Sequence, residues 1–147
     1  MTDEELFRLA QAEAQRSDDA TKVGAVFVDP STSRVLVAGH NRMPAGVDAG
    51  VAARWTRPQK YSWIEHAERN AIYAAARNGI ALQGSTAALS WYPCSDCVRA
   101  LVQCGVATLI ARRPDEDDPK WGGDFVIART MLQEAGVVVR YVDDGGQ

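Results

Sequence analysis

Four residues with the chemistry of a metal centre stand in two short segments of the chain. Glu68 follows His66 after one intervening residue, and Cys94 and Cys97 come 28 and 31 residues after that histidine. One imidazole and two thiolates suit zinc, and three protein ligands leave the fourth tetrahedral position to water, as in catalytic sites. The sequence therefore predicts a Zn2+ ion held by His66, Cys94 and Cys97, with Glu68 beside it to move protons.

This spacing works only if the residues lie near the beginnings of helices. In the middle of a helix, a His-x-Glu pair is separated by roughly 200° of rotation and points in nearly opposite directions. His66 lies close to the start of a helix predicted at about 65–77, and both cysteines lie at the start of another, at 94–103. Two helix N-termini would then converge on the metal, and their partial positive charge would favour the thiolate form of both cysteines.

A structural zinc site with four protein ligands is the alternative, and its fourth ligand would be Cys104, His40 or Glu68. Cys104 lies roughly 10 Å from Cys97 along the predicted helix, which is too far, whereas His40 ends a strand and can approach. A redox Cys-x-x-Cys pair would explain neither His66 nor Glu68. We interpret Cys104 as a small core residue.

Hydrophobic periodicity, capping residues and glycine stops predict the elements that position these residues. Helices are expected at about 2–16, 65–77, 94–103 and 124–135, and strands at 22–29, 34–39, 86–92, 106–111 and 137–142. Thr2 with Glu5, and Ser62 with Glu65, have the spacing of capping boxes, and Asp124 is the expected cap of the last helix. A hairpin followed by alternating strands and helices predicts an α/β fold: a mixed five-stranded sheet in a three-layer α/β/α sandwich.

Residues 41–62 show no clear periodicity, and residues 143–147 read as a frayed tail. A loop as long as 41–62 is uncommon in a compact domain and is usually functional. Trp55, Tyr61 and Trp63 give it side chains that can pack, so we expect a flap over the site instead of a disordered insertion.

Composition limits the classes of function. The chain has 147 residues, 46% hydrophobic and 24% charged, which is ordinary for one globular domain over 1–147. A formal net charge of −3 and a pI of about 5.3 argue against a protein that coats nucleic acid or anionic membrane. No apolar run approaches the length of a membrane span, the acidic N-terminus is unlike a signal peptide, and three cysteines suit metal binding better than disulfides. We therefore expect a cytoplasmic protein with a small-molecule substrate.

Longer segments carry a family resemblance: Val23–Val26, Gly39–Gly46, Lys60-Tyr61, His66–Ile72 and Pro93–Cys97. In order, they resemble four features of the cytidine and deoxycytidylate deaminase superfamily: the first strand, the Gly-Tyr-Asn-Gly-x-Pro-x-Gly segment, the His-Ala-Glu-x-Asn-Ala-Ile segment and the Pro-Cys-x-x-Cys motif. Lys60-Tyr61 and His66–Ile72 together correspond to the third of these features. Within that superfamily the chain looks most like the deoxycytidylate deaminases. His40 and Arg42 depart from the tyrosine and the second glycine of the family pattern.

The resemblance implies a zinc-dependent hydrolytic deaminase that releases ammonia from a pyrimidine nucleotide, converting dCMP to dUMP. The alternative on the same site is a free base, a nucleoside or another aminated heterocycle, such as cytosine, cytidine or guanine. Glu68 would act as base and then as acid, and so would not be a zinc ligand. Two other classes stay open: a zinc-stabilised interaction module, and a polynucleotide editor, against which the acidic pI counts. Relatives assemble as dimers, tetramers or hexamers, so a homo-oligomer is expected.

The resemblance also implies substrate contacts. Asn41 would contact the sugar or the base, and the backbone N–H of Ala67 would hold the base carbonyl. Trp91 follows Ser90 as in polynucleotide cytidine deaminases, so it is either a wall of the base pocket or an ordinary core aromatic. A phosphate needs a cation, and the candidates are Arg42, Arg112 and Arg113, the last two of which are followed closely by the acidic run 115–118.

Overall fold

The computed structural model describes residues 1–143, so the tail expected at 143–147 lies almost wholly outside the described residues. The helices are α1 (Asp3–Ala14), α2 (Lys60–Trp63), α3 (Ala67–Asn78), α4 (Ser95–Gln103) and α5 (Gly122–Glu134). The strands are β1 (Gly24–Val28), β2 (Val35–His40), β3 (Thr86–Leu89), β4 (Thr108–Ala111) and β5 (Val138–Tyr141), and a 3-10 helix spans Ala52–Trp55.

The strands form one mixed sheet in the order β2-β1-β3-β4-β5. β1 is antiparallel to both β2 and β3, because a short turn at 29–34 returns the chain beside β1 as a hairpin. β3, β4 and β5 are parallel, because α4 and α5 carry the chain back across the sheet between them. The five-stranded mixed sheet predicted from the sequence is confirmed.

Helices cover both faces of this sheet, and the alternation of side chains along β1 shows how. Ala25 and Phe27 point into a core shared with α3, α4 and α5, whereas Val26 and Val28 point into a core shared with α1. The α1 side contains Leu6, Phe7, Ala10, Ala88 and Ile110, and the other side contains Ala71, Ala75, Leu89, Val98, Leu101, Leu109, Ala128 and Leu132. The three layers are therefore α1, the sheet, and the group of α3, α4 and α5. Within residues 1–143, no helix combines the length and the apolar character needed to cross a bilayer.

One of the three predicted helix caps forms. The Thr2 hydroxyl accepts a hydrogen bond from the Glu5 N–H at 3.1 Å, and the Glu5 carboxylate accepts one from the Thr2 N–H at 2.7 Å. The Ser62 and Glu65 box does not form, because α3 starts later and has His66 as its N-cap. The prediction that Asp124 caps its own helix is also wrong, since α5 begins at Gly122 after Trp121.

Gly39 in β2 allows α3 to lie directly against the sheet at its first turn. A Cβ atom at this position would stand 2.7 Å from both the carbonyl oxygen of Ala67 and the backbone nitrogen of Ala71. Both contacts are to backbone, which cannot rotate away as a side-chain tip can. The distance between β2 and α3, and with it the position of His66, depends on this glycine.

We expect Gly39→Ala to lower the free energy of unfolding by about 1–3 kcal/mol, the usual cost of overpacking a core. Urea denaturation followed by circular dichroism measures the change. Gly123→Ala is the matched control, because a Cβ there meets no atom within 4 Å. Equal unfolding midpoints for the two variants would show that α3 can move away from β2 without a loss in the free energy of unfolding.

Candidate metal centre and active site

His66, Cys94 and Cys97 come together where α3 and α4 begin. Nδ1 of His66 lies 3.6 Å from Sγ of Cys94 and 3.3 Å from Sγ of Cys97, and all three ligand atoms lie within 4.8 Å of one another. Tetrahedral zinc, with Zn–S bonds of about 2.3 Å and Zn–N bonds of about 2.0 Å, separates its nitrogen and sulfur ligands by about 3.5 Å. The three side chains therefore fit zinc as they stand.

Helix starts position these side chains, as the spacing predicted. His66 is the N-cap of α3, Cys94 is the N-cap of α4, and Cys97 lies in the first turn of α4. The first N–H groups of a helix have no acceptor within it, and they carry the positive end of the helix dipole. Two such ends face the cluster, which favours thiolate sulfur and, with it, metal binding.

The two cysteines differ strongly in their affinity for a proton. The pKa of Cys94 falls to about 4, first because the Cys97 thiol donates a hydrogen bond to its sulfur and then because of His66. The pKa of Cys97 rises, because it is the donor in that contact and because it is buried. The pKa of His66 rises, chiefly through its hydrogen bond to Cys94. The hydrogen bonds from Cys97 and His66 thus stabilise a negative charge on the Cys94 sulfur. A divalent cation bound by the three ligand atoms would replace the protons of these hydrogen bonds.

No fourth protein ligand joins the cluster among residues 1–143. Nδ1 of His40 lies 2.6 Å from the Glu13 carboxylate instead, and the Cys104 thiol lies 3.4 Å from the carbonyl oxygen of Leu101. Cys104 is therefore a packing residue, as interpreted from the sequence. Three protein ligands are the donor set of a catalytic zinc site and not of a structural one.

Glu68 lies in the first turn of α3 and is only 4% exposed. Burial is the largest cause of its raised pKa, and the negative charge of Cys94 raises it further, while His66 lowers it. A carboxyl group in this setting holds a proton more readily than an exposed glutamate does. This property suits a group that accepts a proton and later returns it.

Asp124 supports the start of α4 from the neighbouring helix. One carboxylate oxygen accepts a hydrogen bond from the Ser95 N–H at 2.8 Å, and the other accepts one from the Ser95 hydroxyl at 2.6 Å. Asp124 therefore caps α4 beside Cys94 and does not cap α5. Sequence reasoning missed this role because the two residues are 29 positions apart and only the packing of α4 against α5 brings them together.

The chain shares extended similarity with one known family. Residues 1–112 match the model of the cytidine and deoxycytidylate deaminase zinc-binding region. The chain belongs to this deaminase family. Deoxycytidylate deaminase from Homo sapiens is 31% identical over 134 residues, which cover 86% of this chain and 71% of the human protein.

Other members of the deaminase family match more of their own length. An Aliivibrio fischeri protein, named an uncharacterized deaminase in the luxG 3' region, is 31% identical over 138 residues, covering 92% of this chain and 90% of that protein. The structure of dCMP deaminase from the cyanophage S-TIM5 in complex with dCMP and dUMP matches with a TM-score of 0.75 and 26% identity, over 95% of each chain. The expected family, deaminase fold and hydrolytic deaminase class are confirmed, and the His66, Cys94 and Cys97 cluster fits the zinc of this family.

Asn41, a predicted substrate contact, is buried and bonded within the protein. Its Oδ1 accepts a hydrogen bond from the Val23 N–H at 2.9 Å, and its Nδ2 donates to the Thr21 carbonyl at 2.7 Å and to Asp19 at 3.2 Å. A side-chain amide has two donors and two acceptor positions, so one acceptor position is left over. The structure shows that Asn41 holds the segment before β1, and its contact with substrate stays a prediction.

The structure separates the three arginines that the sequence offered for a phosphate. The Arg112 guanidinium lies 5.3 Å from the centroid of the Phe7 ring, on the α1 side of the sheet. Arg113 lies 4.4 Å from the centroid of the Tyr141 ring. Nε of Arg42 donates to the carbonyl of Met43 at 3.2 Å. None of these contacts directs a guanidinium toward the metal cluster, so the role of the three arginines toward a phosphate stays a prediction without support from the geometry.

Trp91 and Ala67 lie close to the cluster in sequence and differ in burial. Trp91 is 51% exposed, so its interpretation as an ordinary core aromatic is wrong, and the pocket-wall interpretation stays a prediction. Ala67 is fully buried as the first residue of α3. Its N–H is one of the groups without an acceptor inside the helix, as a contact to a carbonyl oxygen requires.

The flap expected at 41–62 contains more regular structure than its composition suggested. The 3-10 helix at Ala52–Trp55 and the short α2 lie in or beside it. The Arg54 guanidinium lies 3.9 Å from the centroid of the Trp63 ring and joins these two helices. This segment is packed and hydrogen-bonded, so the disordered-insertion alternative is wrong.

One buried carboxylate holds both ends of the flap. Asp19 is 5% exposed, and its oxygens accept hydrogen bonds from Nδ2 of Asn41 at 3.2 Å and from Nζ of Lys60 at 3.1 and 3.2 Å. The backbones of Arg42 and Glu65 pair beside it. Because Asn41 begins the flap and Lys60 lies near its end, Asp19 fixes the stem of the flap next to His66. No sequence signal pointed to Asp19, since its partners are 22 and 41 residues away.

Cys97→Ser should lose most of its zinc, because a hydroxyl does not supply the thiolate that the cluster needs. Elemental analysis of the purified protein should give about one zinc ion per chain for the unmodified protein and well below that for this variant. Cys104→Ser is the matched control and should retain its zinc. A similar loss of zinc from both variants would contradict the assignment of the cluster.

Asp19→Asn should lower the free energy of unfolding by about 3 kcal/mol, because it leaves the half-buried Lys60 ammonium without its counter-charge. Urea denaturation measures the change. The double variant Asp19→Asn/Lys60→Met should recover part of the loss, since it removes both charges. Asp3→Asn, which breaks the more exposed pair with Arg140, should cost less than about 1 kcal/mol. Equal losses in the free energy of unfolding for Asp19→Asn and Asp3→Asn would contradict the role of Asp19 in holding the two ends of the flap together.

Proposed function

We propose that this chain hydrolyses dCMP to dUMP and ammonia at the His66, Cys94 and Cys97 site. Glu68 beside a three-ligand zinc cluster is the observation that carries the chemistry. The preference for a nucleotide is supported by the matched cyanophage enzyme, whose structure holds dCMP and dUMP, and by the deoxycytidylate deaminases among the relatives.

Bound zinc would supply the Lewis-acid activation of water at this site. Glu68 accepts a proton from that water and delivers it to the ring nitrogen next to the carbon that carries the amine. It then takes the second proton of the water from the hydroxyl group formed on that carbon and passes it to the amine, which leaves as ammonia, so one carboxylate acts in turn as base and as acid. The N–H of Ala67, at the positive end of α3, holds the base carbonyl. Water adds its oxygen to the ring carbon, and the C–N bond breaks.

The burial of Glu68 favours this proton transfer because it raises the affinity of the carboxylate for a proton. Its raised pKa lets the carboxyl hold each proton from its acceptance to its delivery, whereas an exposed glutamate would lose it to solvent. The starts of α3 and α4 hold the cluster and Ala67 in fixed positions, so little rearrangement is needed during the reaction.

We also propose that residues 1–147 act as one domain in a cytoplasmic homo-oligomer. The continuous sheet from β2 to β5 supports the single domain. The free cysteines suit a reducing compartment. Exposed apolar side chains on α3 and α5, at Tyr73, Val126 and Ile127, offer surface for contact between copies.

A substrate panel tests the nucleotide assignment. The zinc-loaded protein is incubated with dCMP, deoxycytidine, cytosine or guanine, and ammonia release is measured. We expect the highest kcat/KM with dCMP. Faster release from deoxycytidine, cytosine or guanine would replace the nucleotide assignment with the alternative substrate class. No ammonia from any compound would contradict the proposed function.

Glu68→Gln should reduce kcat on dCMP by at least about a hundredfold while zinc content stays at the unmodified level. Glutamine keeps the size of the side chain and removes the proton transfer. Ammonia release and elemental analysis of the same preparation measure both quantities. Retained activity would favour a role for the zinc site in structure or partner binding, since such a role does not need the carboxylate.

A further inference from the structure

Lys120 joins the two segments that flank the metal cluster. Its Nζ donates a hydrogen bond to the Tyr61 hydroxyl at 3.1 Å and lies 5.4 Å from the centroid of that ring. It also lies 5.2 Å from the centroid of the Trp121 ring. The ammonium therefore contacts two aromatic rings, one from α2 and one from the residue before α5.

Both of these segments lead directly to metal ligands. Tyr61 belongs to α2, which ends three residues before His66. Trp121 is the N-cap of α5, and Asp124 in the first turn of that helix is bonded to Ser95, the residue after Cys94. Lys120 thus connects the segment before His66 with the loop before α5, and we take these two segments as the rim of the site.

The loop that carries Lys120 is held in place by its own backbone. The Asp118 carboxylate accepts hydrogen bonds from the N–H groups of Lys120 and Trp121, both at 2.8 Å. Within the described part of the chain, no carboxylate forms an ion pair with the Lys120 ammonium. An ammonium has three donors, and the Tyr61 hydroxyl takes one of them, so two donors remain for an anion.

Two other cations near the site, Arg69 and Arg54, are already occupied by protein groups, whereas Arg57, whose charge also acts on the Tyr61 hydroxyl, adds to the positive charge at the rim. Arg69 pairs with Glu65 at 2.7 Å, and Arg54 stacks on Trp63. An anion at the rim therefore meets the Lys120 ammonium together with exposed aromatic side chains. These exposed aromatic side chains are Tyr61, Trp63, Trp91 and Trp121.

We propose that Lys120 is the specificity-determining residue that binds the 5'-phosphate of the substrate, with Tyr61 and Trp121 holding its side chain in position. This inference rests on the proposed function, because it assigns the cation for a nucleotide whose base lies at the zinc cluster. A base at the bottom of the site places the phosphate at the opposite end of the sugar, at the rim that Lys120 spans. The two rings restrict the flexible lysine side chain before the substrate arrives, which lowers the entropic cost of binding.

The test compares dCMP with deoxycytidine, which differ only by the phosphate. Lys120→Met keeps the length of the side chain and removes the charge. We expect kcat/KM for dCMP to fall at least about tenfold, as for loss of a charge-assisted hydrogen bond, mainly through KM. The kcat/KM for deoxycytidine should stay the same, and Lys120→Arg should recover part of the loss on dCMP.

Two matched variants separate phosphate binding from the structural contact. Tyr61→Phe keeps the ring and removes the hydroxyl that Lys120 contacts, so the preference for dCMP over deoxycytidine should persist. Arg77→Met removes an exposed charge in the last turn of α3, at the opposite end from the cluster. It should leave kcat/KM unchanged for both dCMP and deoxycytidine. An equal fall on both substrates in Lys120→Met would overturn the inference, because it would show a structural effect on the site.

The remaining outcomes also decide the matter. A Lys120→Met protein with unchanged preference for dCMP would overturn the inference and leave the proposed function intact. Equal activity of the unmodified protein on dCMP and deoxycytidine would do the same, since no phosphate would then be recognised. No activity on either compound would overturn the proposed function and this inference with it.

Discussion

The convergence of two helix starts on one point is the constraint on which the site depends. α3 presents His66 and Glu68, α4 presents Cys94 and Cys97, and the ligand atoms come within 4.8 Å of one another. Side chains two residues apart can converge at the start of a helix, whereas in its middle they point in nearly opposite directions. The same ends supply N–H groups and positive potential, so the geometry that gathers the thiolates also stabilises their charge.

Contacts outside the cluster maintain this convergence. The absence of a side chain at Gly39 lets the first turn of α3 rest on β2, and Asp124 of α5 fixes the first residue of α4. Each acts on the helix start that carries the ligands, and the sheet connects the two effects because β1 lies between β2 and β3.

The two ends of the flap are held together by an ion pair and hydrogen bonds. Asp19 and Lys60 form a buried ion pair, and N–H donors from Asn41 and Ala20 complete the set around the carboxylate. A buried ion pair contributes little net stability but costs several kcal/mol when one partner is lost. Such a pair is suited to specifying one arrangement of the flap. The flap then reaches the loop before α5 through the contact between Tyr61 and Lys120.

The sequence alone determined the chemistry and the architecture. His66, Glu68, Cys94 and Cys97 define a zinc-dependent reaction by their types and spacing, and the order of elements predicted the mixed sheet, because both depend on short-range patterns. It also predicted the Thr2 and Glu5 capping box, a contact over three residues. Element ends were less accurate: the strand expected at 86–92 ends at Leu89, because the hydroxyl of Ser90, and not its backbone carbonyl, accepts the hydrogen bond from the Gly24 N–H.

Only the tertiary structure decided which polar residues support the site and which cations lie near it. The side chains that donate hydrogen bonds to Asp19 and Asp124 are at least 22 residues away, and the hydroxyl that accepts from Lys120 is 59 residues away. The sequence offered Arg112 as a cation that could meet a phosphate, but alternation along the chain turns its side chain to the α1 face, over Phe7. A pattern along the chain fixes residue types and local direction, whereas contacts between distant segments exist only after the layers have packed.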